Sequence, residues 1–224
     1  MFKSLIIFIL VFNLGESYGY NLPSSIDTTK NKLFPKSYGE KEWKSLFGLD
    51  ARRSYFNNQK VKINGLRIGA QYKGVHRFGL GFYALSKNII INNSTVNQPD
   101  ANNPTNLRVS LSFTTLFYER VLYKVPKWEV SLPLYLGSGK IRSEYLNNLE
   151  NYKTLSKTPF SLIDIGVSAK YYLFTWLAPR LTIGQRFTYN TNADIRKAFN
   201  TTFYALGVSI SLGGLYDSIF KKEK

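Results

Sequence analysis

From Leu46 to Leu212, apolar and polar residues alternate one for one in segment after segment. A period of two belongs to a strand with two chemically different faces. In the clearest segment Leu107, Val109, Leu111 and Phe113 alternate with Arg108, Ser110, Ser112 and Thr114. The same pattern sets Val130, Leu132, Leu134 and Leu136 against Glu129, Ser131, Tyr135 and Gly137. It also sets Ile163, Ile165, Val167 and Ala169 against Asp164, Gly166, Ser168 and Lys170. Near the carboxyl end Tyr204, Leu206, Val208 and Ile210 alternate with Ala205, Gly207, Ser209 and Ser211.

The connections alternate in length. Tight turns with Gly or Pro are expected at 74–77, 122–127 and 177–179, and long loops rich in Asn, Thr and Pro at 88–106, 144–160 and 190–201. Seven strands stand out, near 62–73, 78–87, 107–121, 128–143, 161–176, 180–189 and 202–212. Bacterial single-chain barrels have an even number, and Leu46 to Phe56 supplies an eighth. The reading is an all-β, eight-stranded antiparallel up-and-down transmembrane β-barrel over 46–212, with both chain ends on the periplasmic side. Alternation alone also describes a soluble barrel with its apolar face inward. The small residues on the polar face (Gly69, Gly79, Gly81, Gly166, Gly184, Gly207) and the long strands favour the membrane form, in which the polar face lines a narrow lumen.

The amino end agrees. Met1 to Lys3 is a short basic start, Ser4 to Leu14 is almost purely apolar, and Ser17 and Gly19 are small. Residues 1–19 therefore read as a signal peptide cut after Gly19, because this apolar run is too short to span the ~30 Å of a bilayer core as a helix. Residues 20–45 are expected to be an irregular periplasmic lead-in and 213–224 a basic periplasmic tail.

The segments GLRIGAQYKGVHRFGLGFYAL, WEVSLPLYLGSGKIRSEY and LIDIGVSAKYYLFTWLAPRLTIGQRFTYN resemble the small outer-membrane β-barrel proteins of Gram-negative bacteria, the OmpA/OmpX-type eight-stranded barrel domains. The resemblance implies insertion in the outer membrane by the barrel-assembly machinery. Such barrels often end on a carboxyl-terminal aromatic; here Gly213 to Lys224 follow the last strand, and Phe220 is the nearest candidate.

By parity, Asp50, Arg52, Arg67, Lys73, Arg108, Glu129, Asp164, Lys170 and Arg186 are expected to line the lumen as a charge network, each carboxylate flanked by Arg or Lys. Glu119 falls on the outer face by the alternation from Leu107, unless a bulge near Leu116 turns it inward. Trp43, Trp128 and Trp176 all lie at the periplasmic end, as an interfacial aromatic girdle would.

Chemistry is sparse. With no cysteine and His76 as the single histidine, thiolate zinc sites and cysteine nucleophiles are excluded, and any histidine mechanism must run through a residue placed on the periplasmic turn. No catalytic, metal or cofactor site is expected, and the chain is read as a non-enzyme. The alternatives are a lipid-modifying membrane enzyme and a secreted soluble barrel that binds an apolar ligand. The net charge of +16 is spread through the chain behind an export signal, which argues against nucleic acid and for outer-membrane lipids and lipopolysaccharide as partners of a monomer.

Overall fold

The computed structural model describes residues 43–56, 59–94, 97–98, 100–101, 105–191 and 193–220. The signal peptide and all but the end of the lead-in lie outside them. Strands run β1 (Trp43–Phe56), β2 (Gln59–Tyr72), β3 (His76–Leu85), β4 (Ile89–Ser94), β5 (Thr105–Lys124), β6 (Trp128–Leu146), β7 (Tyr152–Tyr171), β8 (Leu177–Tyr189) and β9 (Thr202–Ser211). Two helices follow late in the chain, α1 (Ala193–Phe199) and α2 (Leu212–Phe220).

Each strand pairs antiparallel with its neighbour, and the pairing of β3 with β5 shuts the sheet into a ring of eight staves. The short β4 brings the strand total to nine, yet it adds no stave. It continues β3 along the upper part of β5, with Ile89 opposite Val109 where β3 has ended at Ala84 opposite Ser112. β4 forms within a segment expected to be loop. The 144–160 region is likewise mostly strand, with only 147–151 joining β6 to β7, and the last tight turn spans 172–176, before Leu177 rather than at 177–179. The segment expected to be a tail begins as helix α2.

The outer wall carries an apolar belt. Leu80, Leu116, Leu136, Ile163 and Phe187 are successive register partners around the ring, and Leu116 is 62% exposed. Leu49, Ile68, Phe82, Val167, Leu181, Ile183 and Leu206 are exposed on the same wall. A solvated sheet surface would not present so continuous an apolar band, whereas a bilayer requires one. The strands are long enough to cross: at roughly 3.3 Å per residue, the 20 residues of β5 exceed a ~30 Å hydrocarbon core even when tilted.

The interior has two strata. Toward the turns it is charged, with Asp50, Arg52, Arg67, Arg77, Glu119, Glu129, Asp164, Lys170, Arg180 and Arg186 all buried. Toward the loops it is apolar, with Val61, Ile63, Ile89, Val109, Leu111, Phe113, Ile141, Phe160 and Leu162 packed together under Phe199 of α1. This corrects the reading of β5. Val109, Leu111 and Phe113 face inward, and Ser112 and Thr114 are on the exposed outer wall. Beyond the bilayer the outside of the barrel meets water and headgroups, so the apolar face of an unbroken alternation turns to the core, as in a soluble barrel. Glu119 shares the parity of Leu111 and is fully buried without any bulge at Leu116; the irregularity of β5 lies further on, between Val121 and Tyr123.

Candidate functional site in the barrel interior

Alternate residues of a closed eight-strand wall point into a space that side chains can fill. Here six cations (Arg52, Arg67, Arg77, Lys170, Arg180, Arg186) and four carboxylates (Asp50, Glu119, Glu129, Asp164) share it, a surplus of two positive charges. Seven of the nine residues expected in the lumen are there. Lys73 is not: with φ at 50° it forms the β2–β3 turn beside Gly74, and its ammonium sits 5.1 Å above the Tyr72 ring. Arg108 is not either. It lies on the outer wall above the belt, 39% exposed, with Glu144 at 3.8 Å and the Tyr152 ring at 5.2 Å. Both come at strand ends, where a turn or the loop-side change in polarity overrides alternation.

In their place the structure brings in Arg77, Arg180 and Glu119. Arg180 has the parity of Arg186 on β8, and Arg77 that of Gly79 on β3, so carrying the alternation to the strand ends finds both. Glu119 needed the correct facing of β5, which its own sequence does not announce.

The network has two centres. In the first, Asp164 takes parallel hydrogen bonds from Arg186 Nε and Nη2, both 2.8 Å, and one from Arg52 Nη1 at 2.6 Å. Arg52 also donates to the Tyr83 hydroxyl at 2.6 Å, and Tyr83 in turn donates to Asp50 at 3.2 Å. In the second, Glu119 is met by Arg77 at 2.7 Å, Lys170 at 2.9 Å and Arg180 at 2.9 Å, and accepts from Ser131 Oγ at 3.0 Å. Glu129 is clasped by Arg77 through both its oxygens, with Lys170 at 3.2 Å and the Tyr172 hydroxyl at 2.7 Å. Arg67 joins the centres, 3.1 Å from Asp50 and 3.4 Å from Glu119. No carboxylate here is left without a guanidinium or ammonium, which is the condition for holding charge in a confined, poorly hydrated space.

Above the charges, Tyr83 stacks on Phe113 with ring centres 4.9 Å apart, Phe113 meets Phe160 edge-on at 6.1 Å, and Phe160 stacks under Phe199 at 5.9 Å. These rings fill the loop half of the lumen, and α1 seats the last of them.

His76 faces outward near the turns, its Nδ1 2.8 Å from the Tyr118 hydroxyl. Trp43 packs on Tyr72 at 4.9 Å, Trp128 on Tyr171 at 4.9 Å and Trp176 on Phe174 at 5.6 Å, all at the turn end. Among the described residues, no cluster of three or more His, Asp or Glu side chains is arranged to hold a metal.

No protein-family model matches the sequence, and neither does any curated protein. Solved structures do match. A major outer membrane protein of Thermus thermophilus superposes with a TM-score of 0.50 at 13% identity, over 75% of this chain and 99% of that one. The amino-terminal β-barrel domain of Pseudomonas aeruginosa OprF gives 0.47 at 11% identity, over 76% and 99%. Neisserial surface protein A gives 0.39 at 13% identity, over 77% and 98%. Together with the apolar belt, the closed ring and the charged interior, the likeness to the Thermus protein fixes the fold: this chain is an eight-stranded transmembrane β-barrel of the outer-membrane kind.

Proposed function

We propose that the protein is a non-enzymatic, non-conducting outer-membrane barrel that anchors an interaction surface at the cell exterior, exported by a cleaved signal peptide and working as a monomer. The observation that carries the closed reading is the filled interior, ion-paired in its lower half and packed with rings in its upper half. An ion crossing it would have to part buried pairs at a cost of several kcal/mol each. Pure protein in planar lipid membranes is expected to show no steady conductance; a stable, ion-selective pore would overturn the reading.

The outer wall above the belt supports anionic headgroups as partners. In the ladder Arg53 stands directly opposite Lys62, and Arg142 opposite Lys157, on exposed faces. Like charges directly opposite destabilise a sheet in isolation. Of these four cations Arg142 has Glu144 at 3.8 Å, an acid it shares with Arg108 at 3.8 Å. Phosphorylated headgroups of the outer leaflet would neutralise the remainder, which gives the charge of +16 a role. Replacing Arg53, Lys62, Arg142 and Lys157 by Gln is expected to reduce the lipopolysaccharide retained on purification; unchanged retention would remove this partner. Membrane fractionation, heat-shifted gel mobility and a mature amino terminus at Tyr20 test location and export.

A further inference from the structure

The mouth of the barrel at the turn end holds a partly enclosed cavity of about 70 Å³. Its lining draws Lys44 from β1, Arg77 from β3, Lys124 from β5 and Lys170 from β7, and among the described residues no carboxylate lines it. Four cations from four staves thus converge on one opening. Glu119 and Glu129 lie behind this lining and are engaged by Arg77 and Lys170. Arg180, the register partner of Lys170, adds a further cation to the same level of the lumen.

A second observation points into the same space. Ser209 of β9 lines the cavity, is 8% exposed, and its Oγ has no hydrogen-bond partner. A buried hydroxyl left unpaired is costly, and it is a ready donor to an acceptor placed in the cavity. The volume accommodates several waters, or one small oxyanion in their place.

We propose that this mouth is a binding site for a phosphate group, held by charge-assisted hydrogen bonds from Lys44, Lys124 and the cavity edge of the Arg77 and Lys170 cluster, with Ser209 donating from the wall. The phosphate is either a free periplasmic anion or the headgroup of an inner-leaflet lipid. That the mouth opens toward the periplasm rests on the orientation proposed above; the chemistry of the site does not.

The test uses the full mature chain in neutral detergent micelles, titrated with inorganic phosphate at constant ionic strength and followed by calorimetry and amide chemical shifts. One saturable site is expected, with shifts centred on Ser209 and Ser211. The Lys44→Gln, Lys124→Gln double variant is expected to weaken binding at least about tenfold, as loss of hydrogen bonds to a charged group implies. Lys140→Gln with Lys157→Gln on the outer wall is the control and is expected to bind as the parent does. Ser209→Val, which leaves every charge in place, is expected to weaken binding severalfold and covers the case in which the lysine variants fail to fold. A parallel titration with glycerol phosphate and short-chain phosphatidylglycerol separates the sources: tighter binding of the lipid assigns the site to a headgroup, and equal or weaker binding to the free anion. Shifts that do not saturate, or variants at both positions that bind like the parent, would overturn the site. A conducting lumen in planar membranes would instead strike at the closed-barrel reading alone.

Discussion

Arg186 of β8 and Asp164 of β7 are cross-strand register partners, and the guanidinium lies parallel to the carboxylate with two hydrogen bonds of 2.8 Å. Arg52 approaches the same carboxylate from β1, across the lumen, at 2.6 Å. One acid therefore links the two sides of the ring, and its removal takes the carboxylate from Arg186 and leaves Arg52 with Asp50 at 3.8 Å. Asp164→Ala is expected to destabilise the barrel by about 3–5 kcal/mol in a urea titration in detergent, the range for breaking a buried pair. Exchanging the group for apolar residues, as in Asp164→Leu with Arg186→Met and Arg52→Leu, is expected to recover part of the loss. A single variant that unfolds at the parental urea concentration would show that the network is hydrated and loosely held.

Tyr83 lies over the backbone of its cross-strand partner Gly65. A Cβ at Gly65 would stand 2.2 Å from the ring, so the ring must leave its place between Arg52 and Phe113. Gly65→Ala is expected to cost about 1–3 kcal/mol through overpacking and to alter the near-ultraviolet circular dichroism of the aromatic stack. An unchanged spectrum with parental stability would mean that Tyr83 has room to move.

The height of the bilayer on the wall is open to the same kind of measurement. Leu116 and Ser112 are both exposed on the outer face of β5, but Leu116 belongs to the apolar belt and Ser112 lies beyond it, opposite Lys140. Leu116→Lys is expected to cost about 2–4 kcal/mol if it sits near mid-bilayer, and Ser112→Lys little. Fluorescent labels at the two positions are expected to be quenched by brominated lipid at 116 only. Equal quenching would displace the membrane from the place the belt assigns it.

Phe199 is the ring by which α1 closes the loop end, 5% exposed and stacked on Phe160. Phe199→Ala is expected to destabilise that end by about 3 kcal/mol and to raise hydrogen exchange in the upper ends of β1 and β8, while conductance stays absent because the ion pairs below remain. Loss of the closed state in this variant alone would make α1 the gate and the charged stratum a minor obstacle.

Outside the membrane, Asp100 in the loop between β4 and β5 is bound by Lys153 of β7 and by the Tyr145 hydroxyl at 2.6 Å, and the hydrogen bond from Lys153 leads the causes that lower its pKa below 3.8. A carboxyl lowered in the folded state stabilises fully above its ordinary value and ceases to do so as pH falls through the lowered one. Amide exchange at Asn97, Gln98, Asp100 and Ala101 is therefore expected to be flat from pH 7 to about 4, after correction for intrinsic rates, and to rise below that. The rise is expected to vanish in Asp100→Asn, and a rise centred near pH 6 would assign the effect to another group.

The sequence by itself determined the class of fold and the number of staves. Period two names strands, the short Gly- or Pro-bearing links between them name an up-and-down meander, and parity along β1, β6 and β7 sorted Asp50, Arg52, Glu129, Asp164 and Lys170 onto the face that the structure turns inward. Parity defines two faces and leaves open which is inside; that follows from ring closure and from where the bilayer ends. On β6 and β7 the polar face lines the lumen at the level of the bilayer. On β5 the loop half projects beyond it, so Leu111 is buried where lipid was expected to be, and Glu119, on the same face lower down, enters the ion-pair network. The convergence of Lys44, Arg77, Lys124 and Lys170 on one mouth is likewise tertiary, since residues from four staves become neighbours only when the wall closes.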